Sequence, residues 1–507
     1  MTSVVIVGGG ITGLAAAYRL AQAPAGAALK ITVIESAPRL GGKIKTYRER
    51  GFVVEQGPDS IFTRKPWALE LIRELGLEGH LVAQSPEAKT SYIVRGGRLF
   101  PAPQGWTQLT PASVRSVAKS RLISLRGKMR MAADLFIPAG TRRPDEDEST
   151  AAFFARRLGR EAVDYLVDPL MGGIHAGDVW KLSLLASHPH FRSLEQKHGG
   201  LIRAALAQKN AGYAKNAAGS GRTDRKTPSP AGESLFVSFE NGLEMLVETL
   251  ETALEGVDVL KGRRVRAIER PDDAARIPGD EARYRVCLND GETIPASAVI
   301  LTTPAYVTAD LLQGIAPRTS ALLRRIEYAS VITATLVFRR SDAGHDLRGS
   351  GFVVPSREVR SITACTWYSS KWAHSTPPGY VALRAHLGRF HLPPPMDATD
   401  EEIVAAVRSD LRRLTGLDAR PVMEWVDRWP LAMPQYQVGH ARLVDAIEAS
   451  LSTAPLILLA GAAYRGSGIP DCVRQGTRAA ETLLNALLGK QPGPVSYSTK
   501  PDGGRTL

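Results

Sequence analysis

The sequence predicts an α/β fold with a parallel sheet, a second mixed sheet and a helical insertion. Three observations lead to this prediction. An apolar strand runs directly into a glycine-rich turn and a small-residue helix at residues 4–17. A second apolar strand follows at residues 30–35, so strands and helices alternate as they do in parallel sheets. At 507 residues the chain is too long for one hydrophobic core, and two or three domains are expected.

The first turn has the spacing of a dinucleotide-binding motif. G-x-G-x-x-G covers Gly8–Gly13, directly after the apolar strand. Gly8 permits the tight turn, Gly10 lets the backbone approach a pyrophosphate, and Gly13 lets the helix pack closely on the strand. The start of the helix offers free N–H groups to phosphate oxygens. Glu35 ends the second strand roughly 20 residues later, where a carboxylate binds the ribose in such folds.

The following elements are short strands and then helices. Residues 66–75 predict a helix that ends before Gly76, since glycine often follows the last helical residue. Ser91–Arg95 and Arg98–Phe100, joined by two glycines, predict a hairpin with a two-residue turn. From residue 101 to about residue 208 the periodicity is helical, and the clearest helix is expected over Phe153–Leu170.

Residues 209–232 are rich in Gly, Ala, Ser, Lys and Pro and have almost no large apolar side chain. Such a segment cannot bury enough surface to offset its ordering entropy, so a mobile loop is predicted. Strands are expected again after this loop, and residues 283–288 and 298–304 are predicted to continue one sheet.

The C-terminal half predicts a second sheet of mixed or antiparallel type. Its strands are expected in four β-rich runs, at residues 331–338, 351–354, 361–367 and 381–387. An amphipathic helix follows at residues 400–414. A buried strand at residues 456–461 leads through a glycine-rich turn to a last helix over residues 474–488, which is expected to rejoin the first domain.

Composition excludes several classes of protein. The net charge of +13 is not accompanied by a nucleic-acid-binding motif, so no nucleic acid partner is predicted. The densest basic stretch, residues 115–130, is interpreted as a solvated helix face, a membrane-surface contact or a patch that attracts an acidic substrate. Three widely spaced cysteines predict neither disulfides nor a metal site. Without a bilayer-length apolar run or a signal peptide, we expect a cytoplasmic protein.

The residues after the second strand extend the motif. E-x-x-x-R-x-G-G-K over Glu35–Lys43 resembles the signature of FAD-binding amine-oxidase-type flavoproteins. By its charge alone Lys43 suits an anionic pyrophosphate, and the alternative is that Arg39 and Lys43 are two solvated loop cations. Four motifs together, at residues 41–46, 57–60, 173–178 and 468–472, resemble the porphyrinogen oxidases of haem synthesis.

This resemblance covers nearly the whole chain and is strongest to one branch. Residues 349–355, 362–367, 371–374 and 428–436 match the bacterial coproporphyrinogen III oxidases better than the protoporphyrinogen-oxidising branch. In the mitochondrial branch a basic residue at the start of the hairpin is thought to pair with a substrate propionate. Ser91 stands there in this chain, and the departure favours a substrate with four propionates.

The resemblance implies a discontinuous, Rossmann-like FAD-binding domain, a mixed-sheet substrate domain and a helical insertion. The FAD-binding domain is assigned residues 1–88, 233–305 and 453–490. The substrate domain is assigned residues 89–100 and 306–452. Residues 101–208 form the helical domain, which has possible contact with a membrane, 209–232 the loop and 491–507 a tail.

The resemblance also implies the site residues. The pyrophosphate, ribose, adenine, ribityl and isoalloxazine contacts of FAD are assigned to Gly8, Gly9, Gly10, Ile11, Thr12, Gly13, Glu35, Ser36, Arg39, Gly41, Gly42, Lys43, Gly57, Pro58, Asp59, Ser60, Val265, Trp429, Ser467, Gly468 and Ile469. The porphyrinogen cavity is assigned Gly177, Val353 and His386. Trp429 is alternatively a core aromatic residue, and Asp471 a helix cap. His175 is more typical of a packing residue than of a base, and no catalytic side chain or metal is assigned.

The implied activity is oxidation of coproporphyrinogen III to coproporphyrin III. Six hydrogens leave in three two-electron steps, the flavin accepts hydride, and O2 is reduced to H2O2. Cys472 lies beyond the C-terminal glycine turn, so dissociable FAD is expected. The alternatives are protoporphyrinogen oxidation, another amine-oxidase-type flavoenzyme, or a non-catalytic carrier of lipidated proteins resembling GDI. Peripheral contact with the inner face of the membrane and hand-off of the product to a ferrochelatase are left open.

Overall fold

The computed structural model describes residues 2–24, 29–103, 114–140, 143, 145–207, 234–271, 282–344 and 346–487. The predicted loop at 209–232 and the tail at 491–507 lie outside these residues. The α-helices within them are Ile11–Ala21, Trp67–Glu74, Val114–Lys119, Leu125–Ala132, Thr150–Leu158, Arg160–Ala162, Asp168–His175, Leu184–Ser187, Pro189–His198, Glu244–Thr252, Ala305–Leu312, Pro317–Leu323, Tyr368–Lys371, Asp400–Thr415, His440–Ser450 and Ile469–Leu487, with a further helical stretch at residues 201–207.

A parallel five-stranded sheet forms the first layer. Its strands, in spatial order, are Asp258–Lys261, Leu29–Glu35, Thr2–Val7, Ala298–Leu301 and Ile457–Leu459. Val4 and Ile6 pack into a core with the first and last helices, while Val5 and Val7 pack into a second core on the opposite face. Burial on both faces explains why these strands are continuous apolar runs rather than alternating ones. The sheet is assembled from widely separated segments of the chain.

A seven-stranded sheet forms the second layer, and the prediction of a mixed sheet is confirmed. Its strands, in spatial order, are Met423–Pro434, Tyr328–Arg339, Tyr380–Leu387, Ala364–Trp367, Gly351–Val353, Ser91–Arg95 and Arg98–Pro101. Gly351–Val353 pairs with Ser91–Arg95 in parallel and the other pairs are antiparallel. One face packs on helix Asp400–Thr415, which begins with a capping box at Thr399. The opposite face is turned toward the helical segment and the loop after residue 55.

Three small sheets complete the described strands: Val265–Glu269 with Tyr284–Leu288 and Thr293–Ala296; Thr46–Glu49 with Phe52–Glu55; and Ile61–Phe62 with Phe236–Phe239 and Leu81–Ala83. The prediction that residues 283–288 and 298–304 continue one sheet is wrong. Tyr284–Leu288 pairs antiparallel with Val265–Glu269 and Thr293–Ala296. The connection to Thr293–Ala296 is too short for a parallel crossover. Only Ala298–Leu301 enters the parallel sheet.

The last helix begins at Ile469, earlier than the predicted start at residue 474. Pro470 does not interrupt this helix, because proline is tolerated in the first turn, where its missing N–H has no intrahelical acceptor. Among the described helices, none combines the length and the apolar character needed to cross a bilayer.

The predicted helix over Phe153–Leu170 is also wrong as one helix, because Gly159 divides it. Gly159 has φ 89° and ψ 163°, a conformation that is almost confined to glycine. Thr150–Leu158 ends there, and the chain continues through Arg160–Ala162 and a π-helical turn at Val163–Val167 into Asp168–His175.

We expect Gly159→Ala to lower the free energy of unfolding by about 1–3 kcal/mol. The alanine backbone would be strained at this φ and ψ, and the added Cβ would lie 2.5 Å from Cγ of Arg130. Gly79→Ala is the control, because no atom lies within 4 Å of its added Cβ. Urea denaturation of both variants measures the difference, and equal stability would show that the break imposes no strain.

Candidate functional site

The first glycine turn combines tight packing with one open side. A Cβ on Gly13 would lie 2.0 Å from the carbonyl oxygen of Gly8, and a Cβ on Gly8 would lie 2.6 Å from Oγ1 of Thr302. Gly8 also has a φ of 109°. A Cβ on Gly10, in contrast, would meet no atom of the described residues within 4 Å. Gly8 and Gly13 are therefore required by packing, while Gly10 borders open space.

Glu35 ends its strand beside this turn. Its carboxylate accepts hydrogen bonds from the N–H groups of Gly9 (2.7 Å) and Ala37 (2.8 Å) and from the Ser36 hydroxyl (3.2 Å). The N–H of Arg263, just before the strand that starts at Val265, donates to the Glu35 carbonyl at 3.0 Å. Glu35, Ser36 and the strand at Val265 therefore meet at one end of the parallel sheet.

The second glycine turn lies against the first. Gly41 donates its N–H to the Gly9 carbonyl at 2.8 Å, and a Cβ on Gly42 would lie 3.3 Å from Cα of Gly10. The Arg39 guanidinium binds the carbonyls of residues 40, 42 and 44 at 2.9, 2.6 and 2.9 Å. Arg39 is therefore not a solvated cation, because it holds the shape of this turn. Its contact with a cofactor stays a prediction.

Lys43 lies under the loop that contains Gly57. Its side chain is accessible, yet burial by the surrounding protein lowers its pKa, an effect that nearby Cys472 opposes. An accessible group with a desolvated ammonium is expected in a recess rather than on the outer surface. A Cβ on Gly57 would lie 1.8 Å from the Lys43 carbonyl oxygen, so the loop that contains Gly57 passes directly over Lys43.

The seven-stranded sheet holds the loop over residues 56–60. The carbonyl of Gln56 accepts hydrogen bonds from the Thr333 hydroxyl (3.1 Å), the buried Arg384 guanidinium (2.9 Å) and the Trp429 indole N–H (3.1 Å). Three donors on one carbonyl fix the loop to the sheet. Trp429 is thus placed at the loop by a specific hydrogen bond and not only by core packing.

Asp59 carries the negative charge of this loop. Its carboxylate forms an ion pair with Lys371 at 2.8 Å and accepts a hydrogen bond from Ser60 at 2.8 Å. Burial opposes ionisation, but Lys371 and Arg384 outweigh it and lower the pKa of Asp59. Pro58 is half-buried beside it. Asp59 is therefore a fixed anion at the boundary between the two layers.

The C-terminal turn reaches the first helix. The N–H of Cys472 donates to the Gly468 carbonyl at 2.9 Å, and its thiol lies 3.8 Å from the Ser467 carbonyl. A Cβ on Gly476 would lie 2.2 Å from the Thr12 carbonyl, so the last helix packs directly on the first. Ile469 joins the core that contains Ile11. Residues more than 450 positions apart are thus brought together.

Two of the three predicted substrate residues lie on one row of the seven-stranded sheet. The register places Asp427, Thr333, His386, Ala364, Val353 and Ile93 opposite one another across successive strands. Residues directly opposite in a sheet share a face, so His386 and Val353 point to the same side. Burial, together with the nearby charge of Arg384, lowers the pKa of His386 to about 3, so its imidazole is neutral.

Gly177 lies in the loop that covers this row. A Cβ on Gly173, in the preceding helix, would lie 3.7 Å from Cγ1 of Val353. A Cβ on Gly177 would lie 3.0 Å from Oε1 of Gln435, whose amide donates to the His175 carbonyl at 3.1 Å. The loop after helix Asp168–His175 therefore closes over the sheet face.

Sequence reasoning missed Gln56, Lys371 and Arg384. The signal for Arg384 was present, because an arginine interrupts the apolar run of Tyr380–Leu387. A buried arginine needs polar partners, so its position in a predicted core strand could have marked it as a site residue.

Glu55, next to this loop, makes stability depend on pH. It accepts hydrogen bonds from the Leu243 N–H (2.5 Å) and the Thr46 hydroxyl (2.8 Å), yet burial raises its pKa from 4.5 to about 7. Between these values unfolding releases a proton, so the free energy of unfolding falls as pH rises from 4.5 to 7 and then levels off.

We expect Glu55→Gln to lack this decline. Denaturant unfolding of both proteins at several pH values between 5 and 8 measures it. Glu255→Gln, at an exposed position, should retain the wild-type slope. Parallel curves for wild type and Glu55→Gln would contradict the raised pKa.

The chain resembles known proteins over nearly its whole length. The model of the family described as flavin containing amine oxidoreductase matches residues 11–484. The coproporphyrinogen III oxidase of Bacillus subtilis (strain 168) is 36% identical over 96% of this chain and 98% of its own length. Protoporphyrinogen oxidase 1, chloroplastic, of Arabidopsis thaliana is 29% identical over 96% of this chain and 88% of its own.

A solved structure resembles the whole chain. A protein of Exiguobacterium sp. 255-15, provisionally named protoporphyrinogen oxidase, superposes with a TM-score of 0.80 at 34% identity, covering 95% of this chain and 98% of that one. The chain therefore belongs to the flavin containing amine oxidoreductase family, in the group that includes the coproporphyrinogen III oxidases.

Proposed function

We propose that this protein is an FAD-dependent oxidase that converts coproporphyrinogen III to coproporphyrin III, with O2 reduced to H2O2. The observation that carries the proposal is the contact between the first two glycine turns, together with the loop over residues 56–60, which the seven-stranded sheet holds above Lys43. Relatives named coproporphyrinogen III oxidase at 31–36% identity support the choice of substrate.

The residues present fit FAD. The open side of Gly10 leaves room for a pyrophosphate, and the accessible Lys43 ammonium supplies a cation in the adjoining recess. The Glu35 carboxylate, fixed by the Gly9 and Ala37 N–H groups, has further lone pairs for a ribose hydroxyl. Gly57–Ser60, Val265, Trp429 and Ser467–Ile469 remain proposed contacts. A bound flavin supplies a two-electron acceptor that oxygen can reoxidise.

The flavin is proposed to be dissociable. Burial raises the pKa of the Cys472 thiol to about 11, so it is protonated and a poor nucleophile at neutral pH. After denaturation and filtration, the yellow flavin should be found in the filtrate and not with the protein. Colour that remains with the unfolded chain would mean a covalent bond.

The substrate side is proposed to orient the macrocycle. His386 and Val353 share one row of the sheet, and Gly177 lies in the loop above it. The neutral His386 imidazole offers a hydrogen-bond partner without adding charge, and Asp427 and Thr333 continue the polar part of the row. These side chains bind and position the substrate while the surrounding layers exclude water.

Protoporphyrinogen IX is the alternative substrate, favoured by the likeness to the chloroplast relative. In this chain the neutral Ser91 stands at the hairpin start, and its hydroxyl forms a hydrogen bond with that of Ser350 at 2.8 Å. Turnover of the two porphyrinogens under the same conditions separates the possibilities. A higher kcat/KM for coproporphyrinogen III supports the proposal, and a higher value for protoporphyrinogen IX overturns the choice of substrate.

Contact with a membrane surface is proposed for helix Leu125–Ala132 and the residues after it. Leu125, Met129 and Phe136 are 73%, 61% and 85% exposed, and Arg121 and Arg126 are exposed near them. Apolar side chains beside cations suit an anionic lipid surface. Flotation with anionic vesicles should recover the protein, and the double substitution Met129→Ser and Phe136→Ser should abolish vesicle binding.

Hand-off of the product to a ferrochelatase stays a prediction from the resemblance.

A further inference from the structure

Five basic side chains meet beside the Gly177 loop. We call Arg64, Lys65, His175, His188 and His190 the imidazole cluster. The ring centroids of His175 and His188 are 5.6 Å apart, and those of His188 and His190 are 6.1 Å apart. The charge of Lys65 acts on His175 and His188, and that of Arg64 acts on His190.

Two polar atoms of this cluster have no partner in the part of the chain that the structure describes. Nε2 of His175 and Nδ1 of His188 are buried and make no hydrogen bond there. Leaving a buried donor or acceptor unsatisfied is unfavourable, so such groups in a folded protein call for an explanation. A ligand that accepts hydrogen bonds would provide one.

The cluster also has more positive than negative charge. Lys65 forms an ion pair with Asp471 at 2.6 Å, and Arg474 lies 3.8 Å from the same carboxylate. Arg64 is exposed and makes no ion pair within the described part of the chain. Burial and the neighbouring cations lower the pKa values of all three histidines, so their imidazoles are neutral and each has one N–H to donate.

The imidazole cluster is next to residues proposed for the cofactor and to residues proposed for the substrate. Lys65 follows the loop over residues 56–60, and its partner Asp471 lies in the first turn of the last helix. His175 precedes Gly177 and is held through its carbonyl by Gln435. The cluster therefore lies between the residues proposed for the cofactor and those proposed for the substrate.

We propose that the imidazole cluster binds a carboxylate of the substrate, one of the propionates of the tetrapyrrole. This inference rests on the proposed function. The imidazole N–H groups donate to the carboxylate oxygens, and Arg64 with Lys65 supplies the positive charge, an arrangement that gives strong charge-assisted hydrogen bonds. Because the imidazoles are neutral, they do not repel the cations Arg64 and Lys65 when no ligand is bound.

The test uses the flavin-loaded protein, with coproporphyrin III and its tetramethyl ester as probes. His175→Phe and His188→Phe keep an aromatic ring for packing and remove the N–H donors. We expect each variant to bind coproporphyrin III about ten- to a hundredfold more weakly and to bind the ester as the wild type does. His374→Phe, a half-buried histidine elsewhere, is the matched control and should bind both probes normally. Fluorescence titration gives the dissociation constants.

Arg64→Gln is a third test variant, at an exposed position where folding is not at risk. It should also weaken binding of the carboxylate and not of the ester. Equal weakening of both probes, or no weakening in any variant, would overturn the inference. Loss of FAD affinity with unchanged porphyrin binding would overturn it too, by assigning the cluster to the cofactor. A wild-type protein that neither binds nor oxidises a porphyrin would instead refute the proposed function, and this inference with it.

Discussion

Gly10→Asp is expected to give a folded protein that has lost its flavin. No atom of the described residues lies within 4 Å of a Cβ at Gly10, and the φ of −73° suits any residue, so the substitution introduces no clash with them and no backbone strain. The new carboxylate would occupy the open side of the turn and repel a pyrophosphate. We expect FAD affinity to fall at least a hundredfold, which corresponds to about 2.7 kcal/mol.

Two further glycines make this prediction specific. Gly314→Asp is the control, because its added Cβ also meets nothing within 4 Å but it lies outside the site, so flavin binding should not change. Gly13→Ala should instead unfold more readily, since its Cβ would lie 2.0 Å from a backbone carbonyl. Fluorescence titration of the apoprotein with FAD and denaturant unfolding separate the effects. A Gly10→Asp protein that binds FAD normally would contradict the placement of the pyrophosphate.

Arg384→Met is expected to have the largest effect on stability. Arg384 is 2% exposed and donates to the carbonyls of Gln56 and Gly57, and it helps to keep Asp59 ionised. The variant leaves the Asp59 carboxylate buried with Lys371 as its remaining cation, and it removes a donor from each carbonyl. Breaking such a buried network costs about 3 kcal/mol or more. Because the same loop is proposed to contact the flavin, FAD affinity should fall as well.

Arg339→Met is the matched control, on the neighbouring strand but exposed. It should change the free energy of unfolding by about 0.5 kcal/mol or less. Guanidinium chloride unfolding with and without FAD provides both quantities. If Arg384→Met is as stable as Arg339→Met, then the sheet does not hold the loop in the way that the hydrogen bonds indicate.

Much of the fold could be predicted because its signals are local. The strand and glycine turn at residues 4–13 lie within one stretch of chain, and their spacing alone indicates the turn and the helix that follows. The hairpin at residues 91–101 is equally local, since two glycines separate its strands. The motifs that resemble the porphyrinogen oxidases then indicated that segments far apart in the sequence meet at one site.

The rest could not be predicted because it depends on long-range contacts. Gln56 is held by Thr333, Arg384 and Trp429, which are far away in sequence and carry no shared pattern. Gly159 divides a helix although the apolar periodicity continues across it, and only its φ of 89° reveals the break. His175 ends one helix, whereas His188 and His190 lie at the start of another, so the approach of His175 to His188 depends on packing rather than on sequence spacing.

The central claim is that the glycine turns and the face of the seven-stranded sheet enclose a flavin next to a reduced tetrapyrrole. Anaerobic mixing of the flavin-loaded protein with coproporphyrinogen III tests it most directly. We predict that the flavin absorbance bleaches as the fluorescence of coproporphyrin develops, and that admitting oxygen restores the flavin and completes porphyrin formation. Flavin that remains oxidised in the presence of both coproporphyrinogen III and protoporphyrinogen IX would contradict the claim.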